Sequence, residues 1–366
     1  MSVLEPLKPS GPDDAMAELL LALPGGLTRG QAGAAFDQIL RGEVSDTQIA
    51  ALLYGLRVKG ETTAEVQGIA DSLLRAAPKL AVEGPVVDIV GTGGDRTGAI
   101  SMSTPASVLV RACGVAATVV KHGNRGASTP TGSADVVEAW GVPLDLSPEQ
   151  VAAVAREVGI TFCFAPRFHA ALRHAAPARR SLGVPTVMNV LGPLSHPARP
   201  LYQLVGVADA TRIDLVTETF RTRGSEALIV RGRDGLDKLS VTGPTDVTLV
   251  SAGRRSSFTV APEDVGLSRS NLEGLRGSTP TDNAQQLAAV LHGEASGPVT
   301  AAVVLNAAAA CVLVEGHHDS FVDRLRVRVH TCQEVLASGA AGQTLQNWVA
   351  AARRQIGAPL TIRPSQ

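Results

Sequence analysis

Aromatic residues, cysteines and excess charge are all scarce in this chain of 366 residues. Aromatic side chains make up 3% of it, and the formal net charge at pH 7 is −1. A core must therefore be built from aliphatic residues, which dominate the 45% of the sequence that is hydrophobic. Near-neutral charge without a long basic run excludes a dedicated nucleic-acid surface, because such surfaces depend on clustered lysine and arginine.

The four cysteines have no short spacing of the kind that binds zinc. They stand at positions 113, 163, 311 and 332, and three of them lie in apolar runs. We expect reduced, buried thiols rather than a disulfide framework. We find no signal-peptide pattern and no apolar run long enough to cross a bilayer. The sequence thus predicts a cytoplasmic protein without a membrane partner.

Two polar motifs each follow an apolar, strand-like segment. The first, Asp88 to Asp95, ends in Gly-Thr-Gly-Gly-Asp, and the second, Ala117 to Arg125, ends in Lys-His-Gly-Asn-Arg. Glycines lack Cβ atoms, so the backbone N–H groups of Gly91, Gly93 and Gly94 can converge on phosphate oxygens. The turn is neither a Walker loop nor a dinucleotide fingerprint. Together the motifs predict a site for a phosphorylated anion, with the N-terminus of a helix that begins at Ser103-Thr104 facing it.

The N-terminal part of the chain is predicted to be helical. Residues 1–14 are rich in proline and glycine and are expected to form a flexible tail. Residues 15–80 are expected to form a small helical domain. Within it, Thr28, Ser45 and Thr62 each precede a Gln or Glu by three positions, which is the pattern of a capping box at a helix start.

The remainder, residues 81–366, is predicted to be a larger α/β domain. Short strands rich in valine and isoleucine alternate with helical segments there, which is typical of a mostly parallel central sheet. Ligands on such sheets bind beyond the carboxyl ends of the strands, where both motifs lie. Helices at about 168–195 are expected to join the small helical domain. The predicted strands are Val86–Val90, Ala117–Lys121, Thr161–Ala165, Tyr202–Val207, Ala227–Arg231 and Val247–Ser251.

These motifs resemble those of the anthranilate phosphoribosyltransferases, and the resemblance runs from about residue 16 to about 352. It implies a homodimeric enzyme that moves phosphoribosyl from phosphoribosyl pyrophosphate (PRPP) to the amine of anthranilate. Pyrophosphate is released, and Mg²⁺ is the expected cofactor. Further matching segments are Ile39–Asp46, Phe164–Pro166, His174–Arg179, Asn189–Leu194 and Asp234–Asp237.

The resemblance also implies roles for individual residues. Lys121, Asn124 and Arg179 would act by positioning and electrostatics, with Asn124 and Arg179 contacting anthranilate. Ser103 would bind one magnesium ion and Asp237 a second. The implied substrate-binding set is Gly91, Gly94, Asp95, Ala99, Ser101, Met102, Ser103, Thr104, Lys121, His122, Gly123, Asn124, Arg125, Gly126, Ala127, Ser128, Thr129, Ser133 and Arg179.

Three positions depart from the family pattern. Ala99 and Ser101 replace a threonine and an asparagine, and Lys238 replaces a glutamate that would bind both metal ions. An ammonium cannot bind magnesium. Either Lys238 neutralises pyrophosphate itself or the second metal site is lost, and Asp234 is the residue that would compensate.

Two other functions stay open on these grounds. One is a related phosphoribosyltransferase or pyrimidine nucleoside phosphorylase with another acceptor, and the other is a non-catalytic paralogue that only binds. Two side chains are also open: His122 either packs at a strand end or contacts substrate, and Asn189 is expected to be a structural amide at a strand end.

Overall fold

The computed structural model describes residues 12–126, 131–316 and 320–357. They divide into two compact units. One unit comprises residues 12–78 and 169–195 and is helical, and the other comprises residues 79–168 and 196–357 and is built on a β-sheet.

Helices and strands alternate through most of the second unit. The described α-helices are α1 Pro12–Ala22, α2 Arg29–Arg41, α3 Asp46–Lys59, α4 Thr63–Ala76, α5 Ser103–Ala112, α6 Ser133–Ala139, α7 Pro148–Val158, α8 Ala165–Phe168, α9 Ala176–Leu182, α10 Leu191–Leu194, α11 Ile213–Arg223, α12 Pro280–Leu291, α13 Pro298–Glu315, α14 Phe321–Ala337 and α15 Ala340–Arg354. The strands are β1 Val86–Gly91, β2 Thr118–Gly123, β3 Ile160–Phe164, β4 Tyr202–Gly206, β5 Glu226–Gly232, β6 Thr245–Ser251 and β7 Arg254–Val260.

The helix starts predicted from capping boxes are confirmed. The side chains of Thr28, Ser45 and Thr62 each accept a hydrogen bond from the backbone N–H three residues later, and the side-chain oxygen of the Gln or Glu there accepts one from the backbone N–H of the capping residue. Helix α1 begins at Pro12, so residues 12–14 are helical although they were predicted to belong to the tail. Proline is tolerated in a first helical turn, where no backbone N–H is needed. Residues 1–11 lie outside the described residues.

The seven strands form one sheet in the order β3-β2-β1-β4-β5-β6-β7. The first five are parallel and the last two pairings are antiparallel, which confirms the predicted mostly parallel sheet. Strand β7 was not predicted. It is an edge strand in which only Val260 is buried, so it lacks the apolar pattern that indicates a strand.

The strand order reverses direction at β1. This strand pairs with β2 on one side and with β4 on the other, and Gly91 and Gly206 are paired at their carboxyl ends. In open α/β sheets, such a reversal opens a crevice outside the carboxyl ends of the strands, where ligands bind. The first predicted motif ends at this point.

One described helix, α13, is long and apolar enough to cross a membrane by length and composition, contrary to the expectation from the sequence. Its residues from Ala302 to Val314 are all buried. It packs against α5, α14 and β4. Its composition is therefore that of a core helix.

Candidate active site

Asp237 lies over the paired ends of β1 and β4. A Cβ atom on Gly91 would be 2.1 Å from its Oδ2, and one on Gly206 would be 1.5 Å from its backbone oxygen. Both strands therefore end in glycine because the loop after β5 passes so close. This loop carries a carboxylate, 8% exposed, to the switch point of the sheet.

Lys238 joins this loop to the glycine turn after β1. Its Nζ is 2.6 Å from Asp237 Oδ1 and 3.0 Å from Asp95 Oδ2. The other oxygens of the two carboxylates are also occupied. The backbone N–H of Gly93 donates to Asp237 Oδ2, and both the N–H and the hydroxyl of Thr97 donate to Asp95 Oδ1.

The charges in this trio depend on one another. Burial favours the neutral form of Asp95, but the nearby Lys238 ammonium outweighs it and the pKa of Asp95 lies below its ordinary value. At Asp237 the effect of burial is larger than that of the same ammonium, so the pKa of this carboxyl group is raised. Burial also disfavours the charge on Lys238, yet the two carboxylates raise its pKa above the usual lysine value. Lys238 is therefore a permanent cation at neutral pH.

The residues around Asp237 do not fit a divalent metal ion. Its carboxylate oxygens already accept hydrogen bonds from Lys238 and Gly93. A cation placed between Asp237 and Asp95 would meet the ammonium that holds them together. Asp237 was predicted to bind a second magnesium ion, but here its two carboxylate oxygens accept hydrogen bonds from the ammonium of Lys238 and the N–H of Gly93.

Asp234 does not offer a replacement ligand. Its carboxylate accepts hydrogen bonds from the backbone of Leu236 and from the hydroxyls of Ser240 and Thr242, all in its own loop. These bonds shape the loop that presents Asp237 and Lys238. The compensation considered for Asp234 therefore finds no support in this arrangement.

Ser103 does fit magnesium in the manner of a phosphate-bound ion. It begins α5, as predicted, and is half-buried. Its hydroxyl has no hydrogen-bond partner within the residues that the structure describes. Magnesium is commonly held by few protein oxygens together with phosphates of the substrate.

The segment between the glycine turn and α5 is well anchored. Ala99 forms an isolated bridge with Arg276, and the hydroxyls of Ser101 and Thr104 are 3.1 Å apart. Met102 is 1% exposed, so its side chain belongs to the core. Of the predicted ligands here, Met102 therefore has only its backbone to offer.

The glycine turn after β1 uses a left-handed backbone. Gly93 and Gly94 have φ angles of +70° and +81°, which residues with a Cβ atom rarely adopt. Both are exposed. The backbone N–H of Gly93 was predicted to bind phosphate, but it donates to Asp237. For Gly94, phosphate binding stays a prediction.

Lys121 lies beneath the site rather than at its surface. It is 2% exposed, and its Nζ donates to the backbone oxygens of Ile89 (2.7 Å) and His122 (3.3 Å). Burial lowers the pKa of Lys121, while the charges of Asp88 and Asp237 oppose that shift. It contributes positive charge from below the strand ends, whereas direct contact with phosphate was predicted.

The ring of His122 packs inside the α/β unit. Its centroid is 5.0 Å from that of His196, and its backbone N–H donates to Asp88. Asp88 is fully buried, and burial raises the pKa of its carboxyl group against the charges of Lys121 and His196. Of the two alternatives for His122, the structure favours a packed ring.

The loop after β2 is held by α6. A Cβ atom on Gly123 would be 2.1 Å from the hydroxyl of Ser133, and the Asn124 backbone oxygen accepts from Ala134. Asn124 is exposed at the strand end, where it was expected to meet anthranilate. The predicted ligands Ala127, Ser128 and Thr129 lie outside the described residues.

The side chain of Arg125 pairs with two acidic residues of α6. Its guanidinium forms ion pairs with Asp135 and Glu138, which raise the pKa of Arg125 further. Asp135 also accepts from the backbone N–H groups of Gly126 and Gly132. Arg125 was predicted to contact phosphate, and that contact stays a prediction, since its side chain is paired with α6 but 48% exposed.

Arg179 belongs to the helical unit. It lies on α9 and is half-buried, and burial lowers the pKa of its guanidinium. The side chain forms no hydrogen bond or ion pair with any residue that the structure describes. Its charge is thus available for an anionic ligand.

Asn189 is a structural amide, as expected, but it ends a 3-10 helix rather than a strand. Its Oδ1 accepts the backbone N–H of Thr186 and so caps that helix.

Comparisons with known proteins agree with this geometry. A family model described as the glycosyl transferase family, a/b domain, matches residues 83–342, and that family's helical bundle domain matches residues 19–77. An anthranilate phosphoribosyltransferase of Leifsonia xyli subsp. xyli is 47% identical over 325 residues, 87% of this chain and 92% of that protein. The chain belongs to the anthranilate phosphoribosyltransferase family.

Two solved anthranilate phosphoribosyltransferases share the fold. That of Thermus thermophilus matches with a TM-score of 0.85 at 38% identity, over 93% of this chain and 99% of its own. That of Saccharomyces cerevisiae, in complex with PRPP and Mg, matches with a TM-score of 0.84 at 25% identity, over 93% and 97%. The chain is accordingly a pentosyltransferase of the anthranilate phosphoribosyltransferase family.

For this member of the anthranilate phosphoribosyltransferases, sequence reasoning missed two residues that build the site. Gly206 ends a strand that was predicted, and a glycine at a strand end was a visible signal for close approach. The sequence predicted Asp88 only as part of an apolar strand. A carboxylate inside such a strand indicates buried polar contacts, and here Asp88 accepts the backbone N–H of His122 and lies 3.9 Å from the ring nitrogen Nε2 of His196.

Proposed function

We propose that the transfer takes place at the carboxyl ends of β1, β2 and β4, around Asp95, Asp237 and Lys238. The observation that carries this proposal is the ammonium of Lys238, which bridges two carboxylates at the switch point of the sheet. In the family pattern a glutamate stands there. The site therefore has a built-in cation where a second metal ion was expected.

The chemistry needs positive charge close to the leaving group. When pyrophosphate leaves C1 of ribose, positive charge develops on the sugar and negative charge on pyrophosphate. We assign stabilisation of the negative charge to the N–H of Gly94 and to Lys238, whose ammonium offsets the charges of Asp95 and Asp237 that would otherwise repel pyrophosphate. Mg²⁺, held by the hydroxyl of Ser103 and the phosphate oxygens of PRPP, would supply further neutralisation of the leaving group.

Anthranilate needs orientation more than activation. Its aromatic amine has a free lone pair, so positioning carries most of the rate enhancement. A guanidinium binds a carboxylate through two parallel hydrogen bonds, and we assign that role to Arg179. The half-burial of Arg179 and its lack of a partner among the described residues support the assignment.

The Arg179→Ala variant is expected to raise the KM for anthranilate by about 10- to 100-fold, because a hydrogen bond to a charged group contributes about 1.5–3 kcal/mol. The KM for PRPP should stay within about twofold. Steady-state kinetics with each substrate varied in turn will measure both. Arg180→Ala is the matched control, since Arg180 is the exposed neighbour on the same helix. Equal losses for both substrates would refute the anthranilate contact.

The direct test of the reaction is the loss of anthranilate fluorescence when PRPP is added, followed across a magnesium titration. We expect rapid, magnesium-dependent loss with a hyperbolic dependence on a single class of magnesium ion. A sigmoidal dependence would point to two ions and contradict the ammonium replacement. Cleavage of thymidine by phosphate in the same preparation would favour the phosphorylase alternative, and failure to bind PRPP would favour the non-catalytic one.

We also propose that the enzyme is a cytoplasmic homodimer whose small domain comprises residues 15–80 and about 168–195. The compact helical unit supports the domain proposal, and the family resemblance supports the dimer. Light scattering coupled to size-exclusion chromatography tests the dimer, because a monomer mass at micromolar concentration would contradict it.

A further inference from the structure

Three of the four cysteines meet in the α/β unit although they are far apart in sequence. Cys113 follows the last residue of α5, Cys311 lies in α13 and Cys332 lies in α14. Their Sγ atoms all lie within 4.8 Å of one another, and those of Cys113 and Cys332 are 3.6 Å apart. None of the three takes part in a disulfide.

The spacing of the sulfur atoms matches a metal site better than a disulfide. A disulfide requires a sulfur separation of about 2.05 Å, well below the observed one. Three thiolates that surround one ion at about 2.3 Å are separated from each other by about 4 Å, as trigonal geometry dictates. The separation of 3.6 Å between Cys113 and Cys332 and the limit of 4.8 Å for all three sulfur atoms lie on either side of this value, so the three are close enough to share one ion.

The burial of the three cysteines limits the access of solvent and ions to the cluster. Cys311 and Cys332 are fully buried, and Cys113 is partly exposed, so Cys113 is the member of the cluster that solvent reaches. The guanidinium of Arg328 places a positive charge near Cys113 and Cys332. Arg328 is itself held by an ion pair with Glu315.

We propose that Cys113, Cys311 and Cys332 form a binding site for one thiophilic metal ion of the Zn²⁺, Cd²⁺ or Cu⁺ class. Soft thiolate ligands select these ions over magnesium, so the site does not compete for the cofactor of the reaction. Binding displaces protons from the thiols and links α5, α13 and α14 through a single ion. The site is separate from the residues assigned to catalysis and does not depend on those assignments.

The test uses the reduced full-length protein and Cd²⁺ as the probe. Cadmium bound to thiolates absorbs in the ultraviolet by charge transfer, so a titration reports both stoichiometry and ligand type. We expect one Cd²⁺ per chain, which also displaces Zn²⁺ bound beforehand, and a melting temperature that rises with the concentration of free ion. Equilibrium dialysis with elemental analysis gives an independent stoichiometry.

Matched variants decide which sulfur atoms bind. Cys113→Ser, Cys311→Ala and Cys332→Ala should each lower the affinity for Cd²⁺ by at least about tenfold, which corresponds to about 1.4 kcal/mol. Cys163→Ala, in which the separate buried thiol of β3 is removed, should bind as the unaltered protein does. Melting curves without metal confirm that each variant is folded.

Two results would overturn the proposal. The first is a fully reduced, folded protein that gives no thiolate charge-transfer band at any cadmium concentration. The second is a band that persists when all three cluster cysteines are replaced, since the ion would then be bound elsewhere.

Discussion

Replacing Lys238 with methionine is expected to remove about 3–5 kcal/mol from the free energy of unfolding and to reduce kcat/KM by more than about 100-fold. Methionine keeps the length and packing of the side chain but leaves Asp95 and Asp237 without their shared cation. Both carboxylates are less than a tenth exposed. Removing one partner of a buried ion pair is costly because the charge that remains is neither solvated nor compensated.

The pH dependence of this effect has a definite sign. The pKa of Asp95 is depressed in the folded state, so its contribution to stability is present above the ordinary aspartate value of 3.8 and is lost as the pH falls through the folded value. The pKa of Lys238 is raised, so its contribution is present below the ordinary value of 10.5 and is lost only as the pH rises through the folded value. The difference in the free energy of unfolding between the unaltered protein and the Lys238→Met variant should therefore be largest at neutral pH and become smaller in acid.

Urea unfolding at several pH values, together with initial rates at saturating magnesium, measures both effects. Lys79→Met is the matched control, because Lys79 is an exposed lysine of the same unit. Lys238→Glu restores the family residue and should increase the dependence on magnesium while retaining activity at high magnesium. A Lys238→Met protein that unfolds at the same urea concentration as the control would show that the ammonium does not hold the two carboxylates.

The Gly206→Ala variant is expected to cost about 3 kcal/mol of stability and most of the activity, since overpacking typically costs about 1–3 kcal/mol and backbone cannot rotate away. The new Cβ would be 1.5 Å from the backbone oxygen of Asp237, far inside the 3.0 Å within which real Cβ contacts are essentially never found. The loop that carries Asp237 and Lys238 would have to move away from the strand ends. Thermal unfolding and PRPP binding by calorimetry measure the two consequences.

Gly243→Ala is the control for this substitution. Gly243 lies in the same unit, its added methyl group would have no neighbour within 4 Å, and it has no positive φ. It should leave the melting temperature and the rate nearly unchanged. If Gly206→Ala behaved like this control, the loop after β5 would not pass over the end of β4 as described.

The confirmed predictions of the fold depended on local signals. The capping boxes at Thr28, Ser45 and Thr62 act within one helical turn, so the sequence around them is sufficient to identify them. The parallel strands were visible because strands buried on both faces are almost continuously apolar. Strand β7 was not predicted because an exposed edge strand buries too few residues to show such a pattern. Its hydrogen bonds are formed with its partner β6.

The same difference between local signals and distant partners applies to the residues of the site. The two motifs at the ends of β1 and β2 indicated a place for phosphate because glycines and cations stood at strand ends. The sequence could not show that Arg125 pairs with α6 or that Lys121 faces the carbonyl of Ile89. Those outcomes depend on partners that chain topology brings near, and local spacing does not encode them.

By itself, the sequence determined the family, the succession of helices and strands, and the exchange of a family glutamate for Lys238. Only the tertiary structure decided what that exchange does, because Asp95 and Asp237 are 142 positions apart in the sequence and meet only where β1 and β4 end side by side. The same is true of Cys113, Cys311 and Cys332, which three helices bring together. Electrostatic and coordinative contacts act over a few ångströms, so their consequences follow from distances that only the folded chain establishes.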